Sequence, residues 1–148
     1  MDESLYDAAG GRDVLVALAG AWHRRCLDDP LASHPFIHTD LHPDHVERLA
    51  AYWGEALGGP PDYSSLIADH STVLRMHAGN GEHADLDERA VELFVQALDD
   101  ADVTERVRPA LVAWFRDAVA EMARFPGSAA DVPAGLPFPR WSWDGPVT

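Results

Sequence analysis

Apolar residues recur at the spacing of an α-helix along most of this 148-residue chain. Glycines and prolines, which end helices, separate the periodic segments at residues 10–11 and 58–61. The pattern predicts helices over residues 11–28, 42–57 and 104–121, and one more that Asp85 or Asp87 caps. No alternation of apolar and polar residues suggests a strand. The sequence therefore predicts an all-α protein of one domain, since a chain of this length folds around a single core.

Short polar signals set the expected ends of these helices. Asp40 is placed to cap the helix at 42–57, with Pro43 in its first turn, where the missing N–H costs nothing. Residues 62–85 show no sustained period and are predicted to form a loop, apart from one helical turn at 71–77.

The charge of the chain argues against one large class of partner. Its 25 acidic residues outnumber 11 basic ones, and the formal net charge at pH 7 is −14. Such a surface repels phosphate backbones, so we expect no nucleic-acid binding, whereas a cationic partner would be attracted.

The sequence carries no evident targeting signal. No run of apolar residues is long enough to predict a membrane span, and the acidic N-terminus lacks the apolar stretch of a secretion signal. The single cysteine, Cys26, permits no internal disulfide, which fits a reducing compartment. We therefore expect a cytoplasmic protein without membrane attachment.

Residues 126–148 differ in composition from the rest of the chain. They contain five prolines and the sequence Trp141-Ser142-Trp143. Proline at this density disfavours a helix, so we predict an extended arm, which the tryptophans would anchor to the body. We therefore divide the chain into a domain over residues 1–125 and a C-terminal extension over residues 126–148.

Two histidines on separate segments give the first indication of a site. His77 ends the short apolar turn that begins at Leu74, and the helix-breaking Gly79 follows soon after. His45 lies upstream, on a segment with helical apolar spacing. Aromatic and aliphatic residues between two imidazoles would suit a flat cofactor. Haem is the candidate, with His77 as the axial ligand to the iron.

Three motifs, in order, give the chain a resemblance to the group II truncated haemoglobins. They are Tyr6-Asp7-x-x-Gly10-Gly11, Leu57-Gly58-Gly59-Pro60-x-x-Tyr63-Ser64 and Leu74-Arg75-Met76-His77. The resemblance covers residues 4–125. It implies a globin-like two-over-two helical sandwich, with the Pro- and Trp-rich extension outside the common core and dispensable for haem binding.

The resemblance also implies roles for matching residues. His77 corresponds to the proximal iron ligand and Phe36 to the aromatic residue that packs on the haem face. His45 corresponds to the distal histidine. It lies one turn before Leu49, which would sit over the iron.

Four further side chains are expected near the haem. Tyr52 and Trp53 match the haem-lining part of the helix that carries His45. Tyr63 either reaches a haem propionate or packs within its loop. Arg75 is either a propionate partner or a solvated arginine.

Two positions depart from the family pattern. His23 stands where the family usually has a ligand-binding tyrosine, and Ala90 where group II members usually have a tryptophan. Trp22 and His23 are neighbours on one helix, so they cannot both face the pocket. The departures imply a distal pocket in which histidines contact the bound ligand and which has more space on one side.

The resemblance implies a haem-binding globin that binds O2 reversibly, and NO and CO as well, with His45 and His23 as hydrogen-bond donors. A b-type haem is expected because the chain has no Cys-x-x-Cys-His motif. Oxygen transport, NO dioxygenation and peroxidase-like chemistry would use the same pocket, and turnover would need a separate reductase. The sequence leaves the oligomeric state open between monomer and homodimer.

A competing interpretation uses a different set of histidines. His34, His38, His42 and His45 lie within twelve residues. On one continuous helix the last three would share a face and could bind zinc or non-haem iron. Pro43 instead places the start of the helix near His42, so the three are not expected to share a face.

Overall fold

The computed structural model describes residues 3–37 and 41–147. Within these ranges the chain is mostly helical, which confirms the predicted all-α class, and a two-stranded hairpin is the only sheet. The elements are α1 (Leu5–Ala9), α2 (Gly11–Asp28), α3 (His34–Ile37), α4 (His45–Ala56), α5 (Asp62–Leu66), α6 (His70–His77), α7 (Ala84–Asp100), α8 (Arg108–Met122), β1 (Trp141–Ser142) and β2 (Gly145–Pro146).

Four long helices form the two layers that the resemblance implied. Helix α2 packs against α4 and against α7, and α7 packs against α8. Between them lies an aromatic core in which the rings of Phe94 and Phe115 stack, with centroids 4.0 Å apart. Trp53 and Trp114 meet these rings edge-on. No helix in the described ranges is long and apolar enough to cross a membrane.

Helix α4 begins at His45 rather than at His42. The Nδ1 atom of His42 accepts a hydrogen bond from the backbone N–H of Asp44 at 3.0 Å, and the His42 carbonyl accepts one from His45 N–H at 2.9 Å. These bonds form a turn before the helix, so Pro43 lies outside it. Asp40, the predicted cap, is outside the described residues.

Residues 62–85 contain more helix than the sequence predicted, namely α5 and a two-turn α6. The Asp69 carboxylate starts α6 by accepting hydrogen bonds from the N–H and the hydroxyl of Thr72, at 2.9 and 2.6 Å. The signal was present in the sequence as an Asp three residues before a Thr. The weak apolar period of so short a helix concealed it.

The N-terminal motif and the glycine-rich motif meet at Tyr6. Its backbone N–H donates to the carbonyl of Leu57 at 2.9 Å. Its ring lies so close to Gly59 that a Cβ there would be 2.6 Å from a ring carbon and 2.8 Å from the carbonyl oxygen of Gly54. Glycine is therefore required at residue 59 for this close approach.

The described part of the extension, residues 126–147, folds back over the body and is called the tail below. The indole N–H of Trp141 donates to Asp117 at 3.3 Å, and that of Trp143 donates to the carbonyl of Glu3 at 2.8 Å. The guanidinium of Arg106 covers the Trp143 ring at 5.2 Å. Both tryptophans thus contact the body. That residues 1–125 form a domain without the tail stays a prediction.

Candidate functional site

His77 is the last residue of α6, and its ring is fixed by its own helix. Its Nδ1 atom lies 2.8 Å from the carbonyl oxygen of Val73, one turn earlier. A carbonyl only accepts, so Nδ1 carries the proton and Nε2 keeps a free lone pair. His77 is exposed as a residue, yet desolvation by the surrounding chain lowers the pKa of its ring. The ring is therefore neutral at pH 7, and Nε2 is available as a metal ligand.

Three helices bring His23, Phe36 and His45 into one cluster. The ring centroids of His23 and His45 are 5.0 Å apart. The Phe36 ring stands edge-on to both, 5.2 Å from His23 and 6.1 Å from His45. His23 and His45 are called the imidazole pair below. The structure thus brings three of the candidate site residues together, and their roles toward a haem stay predictions.

Each ring of the imidazole pair has a buried nitrogen without a hydrogen-bond partner among the described residues, namely Nδ1 of His23 and Nε2 of His45. Such atoms are uncommon because an unpaired buried polar group is costly. Burial is the main cause that lowers the pKa of both histidines. Coulombic repulsion from His23 and from His77 lowers the pKa of His45 further. The arrangement leaves two polar atoms for a small ligand.

The structure decides which of Trp22 and His23 faces the site. Trp22 points into the core, where its ring meets Trp53 and Phe115 edge-on at 5.7 and 5.6 Å. Its indole N–H donates to the carbonyl of Ala90 at 3.1 Å. His23 therefore takes the side toward His45, while the Phe36 ring meets both Trp22, at 6.3 Å, and His23.

Leu49 and Trp53 lie on the same helix as His45 but in different surroundings. Leu49 is half-buried and packs against the main core. Trp53 is 3% exposed, and the aromatic core surrounds its ring. Trp53 is thus chiefly a core residue, and its contact with a haem stays a prediction.

Tyr52 and Tyr63 lie in a second aromatic cluster with His70 and the tail residue Phe138, so a contact of Tyr52 with a haem stays a prediction. The Tyr52 hydroxyl is 2.9 Å from Nδ1 of His70, and its ring is 5.2 Å from Tyr63 and 4.9 Å from Phe138. Burial raises the pKa of both tyrosines. Tyr63 packs within this cluster, which is one of its two expected roles.

Arg75 also has a partner that the sequence did not indicate. One guanidinium nitrogen lies 3.4 Å from the carbonyl oxygen of Val132 in the tail. The remainder of the side chain is exposed. The structure therefore associates Arg75 with the tail rather than with the imidazole pair.

Sequence reasoning missed a buried carboxylate. Glu55 on α4 is fully buried, and its oxygens accept hydrogen bonds from the N–H and hydroxyl of Ser64 at 2.8 and 2.5 Å. Arg140 in the tail lies 3.1 Å from the same carboxylate. No local pattern distinguishes Glu55 from a solvated helix residue, because its cation is far away in the chain.

The histidine cluster of the competing interpretation does not form a metal site among the described residues. His42 lies in the turn before α4, where its Nδ1 is already an acceptor, so it shares no helix with His45. His34 belongs to α3. His38 is outside the described residues.

A family model described as bacterial-like globin matches residues 4–123. No curated protein matches the chain.

Solved structures with the same fold include group II truncated haemoglobin from Bacillus anthracis, with 19% identity, a TM-score of 0.72 and coverage of 82% of this chain and 92% of that chain. Haemoglobin from Chloroflexus aurantiacus has 25% identity and a TM-score of 0.69, and the match covers 82% of this chain and 98% of that chain. Truncated oxygen-avid haemoglobin from Bacillus subtilis has 20% identity and a TM-score of 0.67, and the match covers 81% of this chain and 98% of that chain.

Proposed function

Because this chain belongs to the bacterial-like globin family, we propose that it binds one b-type haem. The haem would bind diatomic gases reversibly, chiefly O2 and also NO and CO. His77 is the protein ligand to the iron. The imidazole pair lies on the side where the gas binds.

The hydrogen bond from Nδ1 of His77 to the Val73 carbonyl carries this proposal. It fixes the tautomer and the orientation of the ring, and it leaves the Nε2 lone pair free. His70, at the other end of α6, has no such freedom. Its Nδ1 bonds with Tyr52, and its Nε2 lies 3.8 Å from Glu121. Of these two histidines, only His77 is suited to an iron.

The imidazole pair and its apolar neighbours also fit the cofactor. When bound, haem supplies an iron position at which diatomic gases coordinate. The imidazole pair contributes two buried nitrogens that lack protein partners and so can hydrogen-bond a polar ligand. Phe36 and Leu49 contribute apolar surface that keeps water away from it.

The haem is expected to be held without covalent attachment. Cys26 is buried in a separate small cluster with Ala32 and Leu93. It is 1% exposed, and burial raises the pKa of its thiol to about 12. The thiol is thus neither accessible nor reactive enough to form a thioether link.

Any redox role, such as NO dioxygenation or peroxidase-like turnover, would need electrons from a separate reductase. The net charge of −14 would attract a donor protein with a cationic face. This part of the proposal predicts that electron transfer from such a donor slows as salt is added, because salt screens surface charges.

Absorption spectra of the ferric, ferrous and CO-bound protein test the proposal, together with metal analysis. We expect up to one equivalent of iron, a haem spectrum that changes on adding CO, and O2 binding that reverses. Protein that takes up no haem when haem is supplied would overturn the proposal. Stoichiometric zinc in haem-free protein would favour the competing histidine cluster instead.

A further inference from the structure

We propose that the tail positions the proximal histidine: its backbone binds α6 through Ser71, and this contact sets the orientation of the His77 ring. The inference rests on the proposed function, since it takes His77 as the iron ligand. Ser71 is a positioning residue, because it acts through the helix and does not touch the ligand site.

Ser71 is the main contact between α6 and the tail. Its side chain is fully buried. Its hydroxyl donates to the carbonyl of Pro133 at 2.8 Å and accepts from the backbone N–H of Leu136 at 3.1 Å. One hydroxyl thus satisfies two backbone groups of a loop that has no regular secondary structure at that point.

Further contacts continue along the helix and past its end. Arg75 lies 3.4 Å from the Val132 carbonyl, and the Val132 side chain is itself buried. Beyond His77, the N–H of Gly79 donates to the carbonyl of Phe125 at 3.0 Å, and that of Gly81 donates to Pro126 at 2.9 Å. The chain around residues 125–136 therefore contacts α6 before His77 and the loop that follows His77.

A short helix depends on such contacts. An isolated helix of eight residues is unstable in water, so tertiary packing determines where α6 lies. The His77 ring is bonded to the Val73 carbonyl of the same helix. A rotation of α6 therefore turns the imidazole with it, and the tail becomes part of what fixes the axial ligand.

Replacing the Ser71 hydroxyl should loosen this coupling without removing the haem ligand. In Ser71→Ala the Pro133 carbonyl and the Leu136 N–H lose their partner, so the tail separates locally from α6. We expect haem to remain bound. We also expect the iron–histidine bond to become less uniform, because α6 then samples more orientations.

Resonance Raman spectra of the ferrous protein would measure this directly through the iron–histidine stretching band. We expect this band to shift or broaden in Ser71→Ala. Ser64→Ala is the matched control, because it also removes a hydroxyl hydrogen bond but lies on α5 and contacts Glu55. An unchanged band in Ser71→Ala, with haem bound, would overturn the inference.

Amide hydrogen exchange of α6 provides a second readout that does not need haem. We expect exchange in α6 to be about a few-fold to tenfold faster in Ser71→Ala than in the wild type or Ser64→Ala, as the loss of a hydrogen bond of usual net strength implies. Equal exchange rates would also overturn the inference. If Ser71→Ala does not fold, Ser71→Cys takes its place in the same two measurements, because a thiol is of similar size but forms only weak hydrogen bonds.

The two proposals fail in different ways. A wild-type protein that takes up no haem contradicts the proposed function, while the exchange measurement still tests whether the tail holds α6. If the wild type binds haem but the iron–histidine band and the exchange rates of α6 do not change in Ser71→Ala, only the positioning role is contradicted.

Discussion

The imidazole rings of His23 and His45 lie 5.0 Å apart, and each has one buried nitrogen that no described protein group satisfies. Burial lowers the pKa of both rings, so both are neutral at pH 7. A neutral imidazole has one N–H and one lone pair, so the pair can offer a ligand a donor, an acceptor or two donors. A tyrosine hydroxyl would instead place its donor and its acceptor on a single oxygen atom.

We predict that His45→Leu raises the O2 dissociation rate more than His23→Phe does. His45 is on α4, the helix expected to cover the haem, whereas His23 is on the neighbouring α2. Loss of one net hydrogen bond is worth about 1 kcal/mol, or roughly a few-fold to tenfold in rate. Stopped-flow displacement of O2 by CO would measure both rates.

The opposite ranking would make His23 the principal contact. Unchanged rates in both variants would mean that the site does not use histidine to hold O2. Retention of the ferrous iron–histidine band in both variants is the control that His77 remains bound.

We predict that His77→Gly loses stable haem binding and that added imidazole restores it. The free imidazole would replace the missing ligand in the space left by the side chain. His83→Gly is a suitable control, because His83 bonds to Asp87 at the start of α7. Haem titration followed by gel filtration measures retention. Stoichiometric haem in His77→Gly without imidazole would show that another residue binds the iron.

We predict that Cys26 does not react with thiol reagents in the native protein. Its pKa is raised to about 12 by burial and then by the charge of Asp29, so the thiolate is scarce at any ordinary pH. In denaturant one thiol per chain should react, since Cys26 is the single cysteine. Fast native labelling at mildly alkaline pH would mean that α2 opens readily near Cys26.

We predict that Arg140→Leu destabilises the protein by about 2–4 kcal/mol, because it leaves the buried Glu55 carboxylate without its cation. Adding Glu55→Gln should recover part of this loss, since the amide carries no charge. Arg116→Leu is the control. Its ion pair with Glu88 is exposed on both sides and should contribute about 1 kcal/mol or less. Urea unfolding measures all four proteins, and an Arg140→Leu effect no larger than the control would contradict the prediction.

We predict that His70 makes the protein less stable in acid. Burial lowers its pKa, although Glu121 acts in the opposite direction. The unfolded chain then binds more protons than the native state below about pH 6.5, so the free energy of unfolding falls as the pH drops. The stability difference between wild type and His70→Gln should therefore be smaller at about pH 5.5 than at about pH 7.5. A larger difference in acid would mean that Glu121 stabilises a charged His70.

Local patterns were sufficient for much of the fold. The bounds of α2 were predicted as observed. Gly10 lies between α1 and α2, and residues 58–61 lie between α4 and α5. The short α6 was underestimated, since its Asp69 cap is a weaker signal than a long apolar period. The late start of α4 depends on a side-chain bond of His42, which composition and spacing do not reveal.

The sequence by itself determined the helical class, the order of the motifs and the candidate ligand His77, because each depends on residues that are close together in the chain. The tertiary structure alone decided that His23 rather than Trp22 faces His45, and that Tyr52 and Tyr63 join a separate cluster. It also paired Glu55 with Arg140, 85 residues apart, and Ser71 with Leu136, 65 residues apart. The physical reason is that side-chain direction and long-range hydrogen bonds follow from how helices pack, and no local pattern encodes that packing.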